Sequence, residues 1–74
     1  MGEKGFLLIK VETSYEHEVM KKLEKYEEVK SANIVYGPYD IVAKVETSNI
    51  GNFAKTLRKK IGEIYNILPL VCIN

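Results

Sequence analysis

Ile50, Phe53, Ala54, Leu57 and Ile61 recur at i, i+3, i+4, i+7 and i+11, which draws one apolar stripe down a helix of about three turns. A helix with such a stripe is stable only when the stripe lies on something else. The rest of the chain offers short apolar runs at 6–12, 29–36, 39–46 and 67–73, rich in β-branched and aromatic residues and of strand length. A helix flanked by runs of this kind must cover a sheet.

The remaining elements follow from local signals. In the first run, Phe6-Leu7-Leu8-Ile9-Lys10-Val11-Glu12 passes from continuous apolar character into alternation. Thr13 and Glu16 then stand at capping-box spacing, so a first helix is expected from there. Its stripe is Tyr15, Val19, Met20, Leu23 and Tyr26, and Glu18 and Lys22 form an attractive pair one turn apart on the solvated side. Between the second and third runs, Tyr36-Gly37-Pro38-Tyr39-Asp40 is a turn, with Gly37 free to take a positive φ and Pro38 lacking a ladder donor. Thr47-Ser48-Asn49 supplies caps for the second helix, and Gly62 marks its stop. Pro69 places the fourth strand at an edge of the sheet.

The order is βαββαβ, an α+β ferredoxin-like sandwich in which right-handed crossovers put both helices on one face of a four-stranded antiparallel sheet. Alternation assigns Leu7, Ile9, Val11, Ile41, Ala43, Val45, Val71 and Ile73 to one face and Phe6, Leu8, Val42, Leu68, Leu70 and Cys72 to the other. Both sets are apolar, yet two helices cover only one face. The expectation is a homo-oligomer whose dimer face centres on Phe6, Leu8, Val42, Leu68 and Leu70.

Composition narrows the function. A chain of 74 residues makes one domain, and at this size folding hides only about 60% of the unfolded chain's surface, so self-association would be stabilising. Lys and Arg number 11 against 10 Asp and Glu, interleaved rather than grouped, which leaves no strong phosphate footprint and argues against direct nucleic-acid binding. No run reaches the length of about 18 apolar residues that a membrane span needs, and the first apolar run is too short for a secretory signal. A lone Cys72 without a partner at ligand spacing suits a reducing cytoplasm and gives neither a disulfide nor a metal site. No cofactor is implied.

From Val29 to Val45 the chain resembles the central hairpin of Lrp/AsnC-type ligand-binding domains, also called RAM domains for regulation of amino acid metabolism. The matching residues are Val29, Gly37, Tyr39, Asp40 and Lys44, around a Gly-x-Tyr-Asp motif in register with the whole βαββαβ pattern, and Ile61-Gly62-Glu63-Ile64 looks like the family's usual end of the second helix. The resemblance covers residues 1–74 as a single domain. It implies a sensor that pairs sheet to sheet, assembles into dimers or rings of dimers, and holds a small effector, usually an amino acid, between dimers. Regulators of the family carry an N-terminal helix-turn-helix, whereas here the sequence starts directly at strand one, so the expectation is a sensor module without its own DNA-binding part. Effector contacts are expected at Gly37, Tyr39 and Asp40, the last offering a carboxylate to an α-ammonium group. Where the family often has Thr-x-Thr on the fourth strand, this chain has Ile67 and Pro69, which points to a more apolar effector or none.

Rival readings are weaker. Acylphosphatases share the order but resemble a site with Arg in a Gly-rich loop after strand one, and here that turn is Glu12-Thr13-Ser14-Tyr15. His17 has no neighbouring Ser, Cys or paired carboxylates to make a triad or metal site, so no catalysis is expected. RNA-recognition folds share the topology, but Phe6 and Tyr39 lack the basic, Gly-flanked aromatic signature. An ACT-type amino-acid module is close to the favoured reading in fold and function. An alternative of another class is a structural subunit that joins full-length Lrp/AsnC-type regulators without an effector of its own.

Overall fold

The computed structural model describes residues 2–73, so Met1 and Asn74, the two ends of the expected domain, lie outside the described residues. The elements run β1 (Glu3–Val11), α1 (Glu16–Leu23), β2 (Val29–Ile34), β3 (Ile41–Thr47), α2 (Ile50–Lys60) and β4 (Ile64–Val71). The sheet is antiparallel in the order β2-β3-β1-β4, with both helices on one face. This is the ferredoxin-like arrangement expected, with Pro69 on an edge strand as its missing donor requires.

Register fixes which side chains share a face. Ile9 stands opposite Ile41 and Ile67, and Leu7 opposite Ala43, and all of these are buried beneath Val19, Leu23, Ile50, Phe53, Ala54 and Leu57 of the helices. Gly5, on the same face, is required by close packing: a Cβ there would run into the Leu70 carbonyl oxygen and lie 2.8 Å from Ile50 Cδ1. Past α1, the Tyr26 ring meets Phe53 edge-on, with centroids 5.7 Å apart, and so joins the two helical segments.

The helix ends depart from one expectation and meet another. Asn49 caps α2, its Oδ1 accepting from the Asn52 amide at 2.9 Å, and Glu3 Oε1 accepts from the Ile50 amide at 2.8 Å. Thr13 does not cap α1. The chain closes a turn from the Tyr15 amide to the Glu12 carbonyl at 3.0 Å, Ser14 takes a φ of 76°, and the helix starts only at Glu16 behind Tyr15 without a side-chain cap. A left-handed residue between Thr13 and Glu16 breaks the geometry a capping box needs.

Strand limits also shift. β1 begins at Glu3 rather than Phe6, and β4 begins at Ile64 rather than Ile67, because Ile64 pairs with Val11 across an irregularity after Lys10. β2 stops at Ile34, which leaves Tyr36 wholly exposed. Val71 and Ile73 were expected with the buried set. Val71 does stand opposite Gly5, but it is 46% exposed and Ile73 is 95% exposed, because the chain there has run out from under the helices.

Candidate functional site

In this topology β1 leads into α1 and β2 turns into β3 at the same end of the sheet. The β2–β3 connection is tied down there by main-chain and side-chain bonds. The Val35 amide donates to the Asp40 carbonyl at 2.9 Å, the Asp40 amide to the Ile9 carbonyl at 2.9 Å, and Lys10 Nζ to the Pro38 carbonyl at 3.3 Å. Asp40 adds its side chain: Oδ2 accepts from the Val11 amide at 2.9 Å. One carboxylate oxygen is therefore committed to holding the hairpin on β1, which is the backbone-satisfying role open to an Asp in a turn. Its Oδ1 carries no bond from the described residues.

Gly37 adopts a φ of 129°, in the region that side chains avoid, and a Cβ there would meet nothing within 4 Å. Glycine is needed at this position for the turn, and the space above it is open. Beside the hairpin lies a cleft of about 340 Å³ lined by Glu16, His17, Ile34, Val35, Tyr36 and Asp40. Of the three expected effector residues only Asp40 lines this cleft; Gly37 and Tyr39 sit in the same loop without bordering it. Glu16, His17, Ile34 and Tyr36 were not anticipated. The topology alone could have placed the first turn of α1 against the hairpin, since both connections leave the same end of the sheet.

The cleft combines two carboxylates with apolar walls, a setting in which an ammonium group and an aliphatic stem can both be accommodated. A wider opening of about 690 Å³ lies at the other end, between Gly2, Phe6, Lys44 and Val71, and merges with the uncovered sheet face. That face gathers all five residues expected at a dimer contact. Leu8 stands between Val42 and Leu68, Phe6 between Lys44 and Leu70, and Phe6, Leu68 and Leu70 are 36%, 42% and 45% exposed. Ile67 turns the other way, into the core at 8% exposure, so it cannot line a surface site.

Elsewhere the polar chemistry is structural. Lys22 Nζ reaches Glu63 Oε1 at 3.0 Å and Glu18 Oε2 at 3.6 Å. Hydrogen bonding from Lys22 holds the Glu63 carboxyl below its ordinary range, and the bond to Glu63 raises Lys22 in turn. Among the described residues no group of three His, Cys, Asp or Glu side chains could hold a metal ion, and no helix is long and apolar enough to cross a membrane.

The family model described as the Lrp/AsnC ligand binding domain matches residues 4–69. A hypothetical protein from Pyrococcus horikoshii is 34% identical, with 100% of this chain and 92% of that chain covered and a TM-score of 0.81. AsnC from E. coli is 25% identical over 97% of this chain and 51% of its own, with a TM-score of 0.83. A feast or famine regulatory protein from M. tuberculosis, solved with L-methionine, is 20% identical over 97% of this chain and 50% of its own, with a TM-score of 0.82. This chain thus spans about half the length of the latter two. No curated protein matches it.

Proposed function

The chain belongs to the Lrp/AsnC ligand-binding domain family, and from that premise we propose that it is a non-catalytic cytoplasmic sensor that binds a small effector and associates with copies of itself. The observation that carries the reading is the pinned hairpin. The Gly37-x-Tyr39-Asp40 motif falls inside the matched residues and is held rigidly beside an open cleft. A rigid loop is what a binding site requires, because the ligand then does not have to order it. An amino acid is the favoured effector class, since a relative of the same fold was solved with L-methionine. Its α-ammonium group would take Asp40 Oδ1 and Glu16, and an aliphatic side chain would lie on Ile34 and Tyr36. Self-association would use the sheet face around Leu8.

One observation favours a second reading, a subunit that assembles with full-length regulators of the family and has no effector of its own. Asp40 already spends an oxygen on the Val11 amide, and Ile67 belongs to the core. Thermal-shift measurements against each standard amino acid, with light scattering on the same samples, separate the two. A ligand that binds only the folded form raises the melting temperature, by about 2.7 kcal/mol of stability at a hundred times Kd. A selective rise for one class of amino acid supports the sensor. An oligomer that responds to none supports the assembly subunit.

A further inference from the structure

Where α1 and α2 end, an opening of about 300 Å³ is lined by Lys22, Lys25, Tyr26, Lys60 and Ile61. Lys22 and Lys25 stand at i and i+3 and so share one side of the segment that α1 leads into, and Lys60 comes from the last turn of α2. Three ammonium-bearing side chains thus border one small space, and no carboxylate lines it. Lys22 is matched by Glu63 at 3.0 Å and by Glu18 at 3.6 Å. Among the described residues Lys25 and Lys60 have no carboxylate within 4 Å. Glu24, about 200° around the helix from Lys22, does not border the opening.

A lysine near the end of a helix ordinarily complements the dipole or bonds a free carbonyl. Carbonyls at these ends already have main-chain partners. That of Lys22 accepts from the Lys25 amide at 3.3 Å, that of Leu23 from the Tyr26 amide at 3.1 Å, and that of Leu57 from the Ile61 amide at 2.9 Å. The dipoles are also served by Lys21 on α1 and by Arg58 and Lys59 on α2, none of which borders the opening. Neither role calls for Lys25 and Lys60 to converge, because like charges brought together repel. An anion between them removes that repulsion. Each helix end counts as about half a negative charge, less than the full positive charge on the lysine beside it.

We propose that this opening binds the phosphate group of a small soluble phosphomonoester. Such a group carries a charge of about −1.5 to −2 at neutral pH and three acceptor oxygens. The two unpaired ammonium groups match the charge, and Lys25 Nζ, Lys60 Nζ and the Tyr26 hydroxyl supply three donors. The Tyr26 ring is held edge-on to Phe53 with centroids 5.7 Å apart, and its hydroxyl makes no hydrogen bond among the described residues. A carboxylate, with one charge and two oxygens, engages only part of this set. Ile61, 2% exposed, adds an apolar wall. The volume stands at the low end for small-ligand clefts, which suits a phosphoryl group on a short body, whereas a nucleic acid backbone needs a stripe of cations. This site is separate from the hairpin cleft: Glu16 borders that cleft from the first turn of α1, and Lys22 and Lys25 border this opening from the other end.

The test titrates the full chain with inorganic phosphate and with glycerol phosphate at constant ionic strength, read by the amide shifts in nuclear magnetic resonance. Both should move the Lys25, Tyr26 and Ile61 amides along one saturating curve, and acetate should not. Lys25→Gln with Lys60→Gln removes the two unpaired charges at exposed positions, so the fold should be kept and the apparent Kd for phosphate should rise about tenfold or more. Lys55→Gln with Lys59→Gln removes the same charge elsewhere on α2 and should leave that Kd unchanged. Shifts spread over the whole surface, an equal response to acetate, or equal weakening in the two double variants would overturn the site, since the attraction would then be general. So would binding to phosphatidic acid vesicles without a response to soluble phosphate, which would assign the lysines to a lipid headgroup. Any amino-acid response of the hairpin cleft should be the same in both double variants, so the two readings fail separately.

Discussion

Asp40 ties the hairpin to β1 and borders the cleft with the same carboxylate. Its Oδ2 holds the β2–β3 hairpin on β1 through the Val11 amide, and the rest of the group faces the cleft. Asp40→Asn keeps an acceptor for Val11 but removes the charge, whereas Asp40→Ala removes both. The alanine variant should lose about 1–3 kcal/mol of stability in chemical denaturation, the cost of leaving a partly buried amide unpaired. The asparagine variant should stay within about 1 kcal/mol of wild type and lose the amino-acid response. Calorimetry with unchanged affinity in the asparagine variant would remove Asp40 from the site. Gly37, Tyr39 and Asp40 were legible as a motif, but only the fold shows that Asp40 is bonded to β1, since Val11 is 29 residues away in sequence. No local pattern carries that information. Glu16 and Tyr36 escaped for the same reason: one reads as a solvated helix residue and the other as part of a strand until the topology brings them together.

At the scale of elements, α2 was legible because propensity, periodicity and a cap among Thr47-Ser48-Asn49 agree, although it ends at Lys60, with Ile61 already extended, one residue short of the expected stripe. α1 was not. Thr13 and Glu16 have capping-box spacing, but the positive φ at Ser14 diverts the chain, and a single left-handed residue leaves no signature in composition. Burial of Val19 and Leu23 holds α1 on the sheet, and the Lys22–Glu63 bond at 3.0 Å adds a tie to the turn before β4. Because this bond lowers the folded-state pKa of Glu63 from its ordinary 4.5, the stabilisation is present above that value and is lost as the pH falls through the folded value beneath it. On the lysine side the pKa is raised from 10.5, so the same pair is lost as the pH climbs through the raised value. Glu63→Gln should therefore melt below wild type near neutral pH, and the two melting curves should converge as the pH falls through the lowered folded-state value of Glu63. A gap that persists undiminished in acid would mean that packing of the side chain, not its charge, secures α1. Both groups are largely in water, so the difference at neutral pH should be small and should shrink further in salt.

The whole molecule exposes 5116 Å², whereas a compact monomer of 8.5 kDa is expected to expose about 4,650 Å². Part of the exposed surface is apolar and lies together. Phe6, Leu8, Val42, Leu68 and Leu70 form a continuous apolar surface where a two-layer domain has sheet on one side and nothing on the other. Alternation alone assigns the membership of this face because period two needs no knowledge of the fold, whereas the exposure of Val71 and Ile73 depends on how far the helices reach. If the face is a contact between copies, its centre is Leu8, flanked by Val42 and Leu68 on the neighbouring strands. Leu8 points away from the core, so Leu8→Asp leaves the packing of Leu7 and Ile9 against the helices intact and places a carboxylate where a partner's apolar side chains would be. In a dimer that charge is buried without a counter-ion, at a cost of several kcal/mol; in a monomer it is hydrated at almost none. The variant should thus stay folded by circular dichroism and scatter as a monomer. A folded variant that keeps the wild-type mass would show that the contact lies elsewhere, and the apolar sheet face would then need a different occupant.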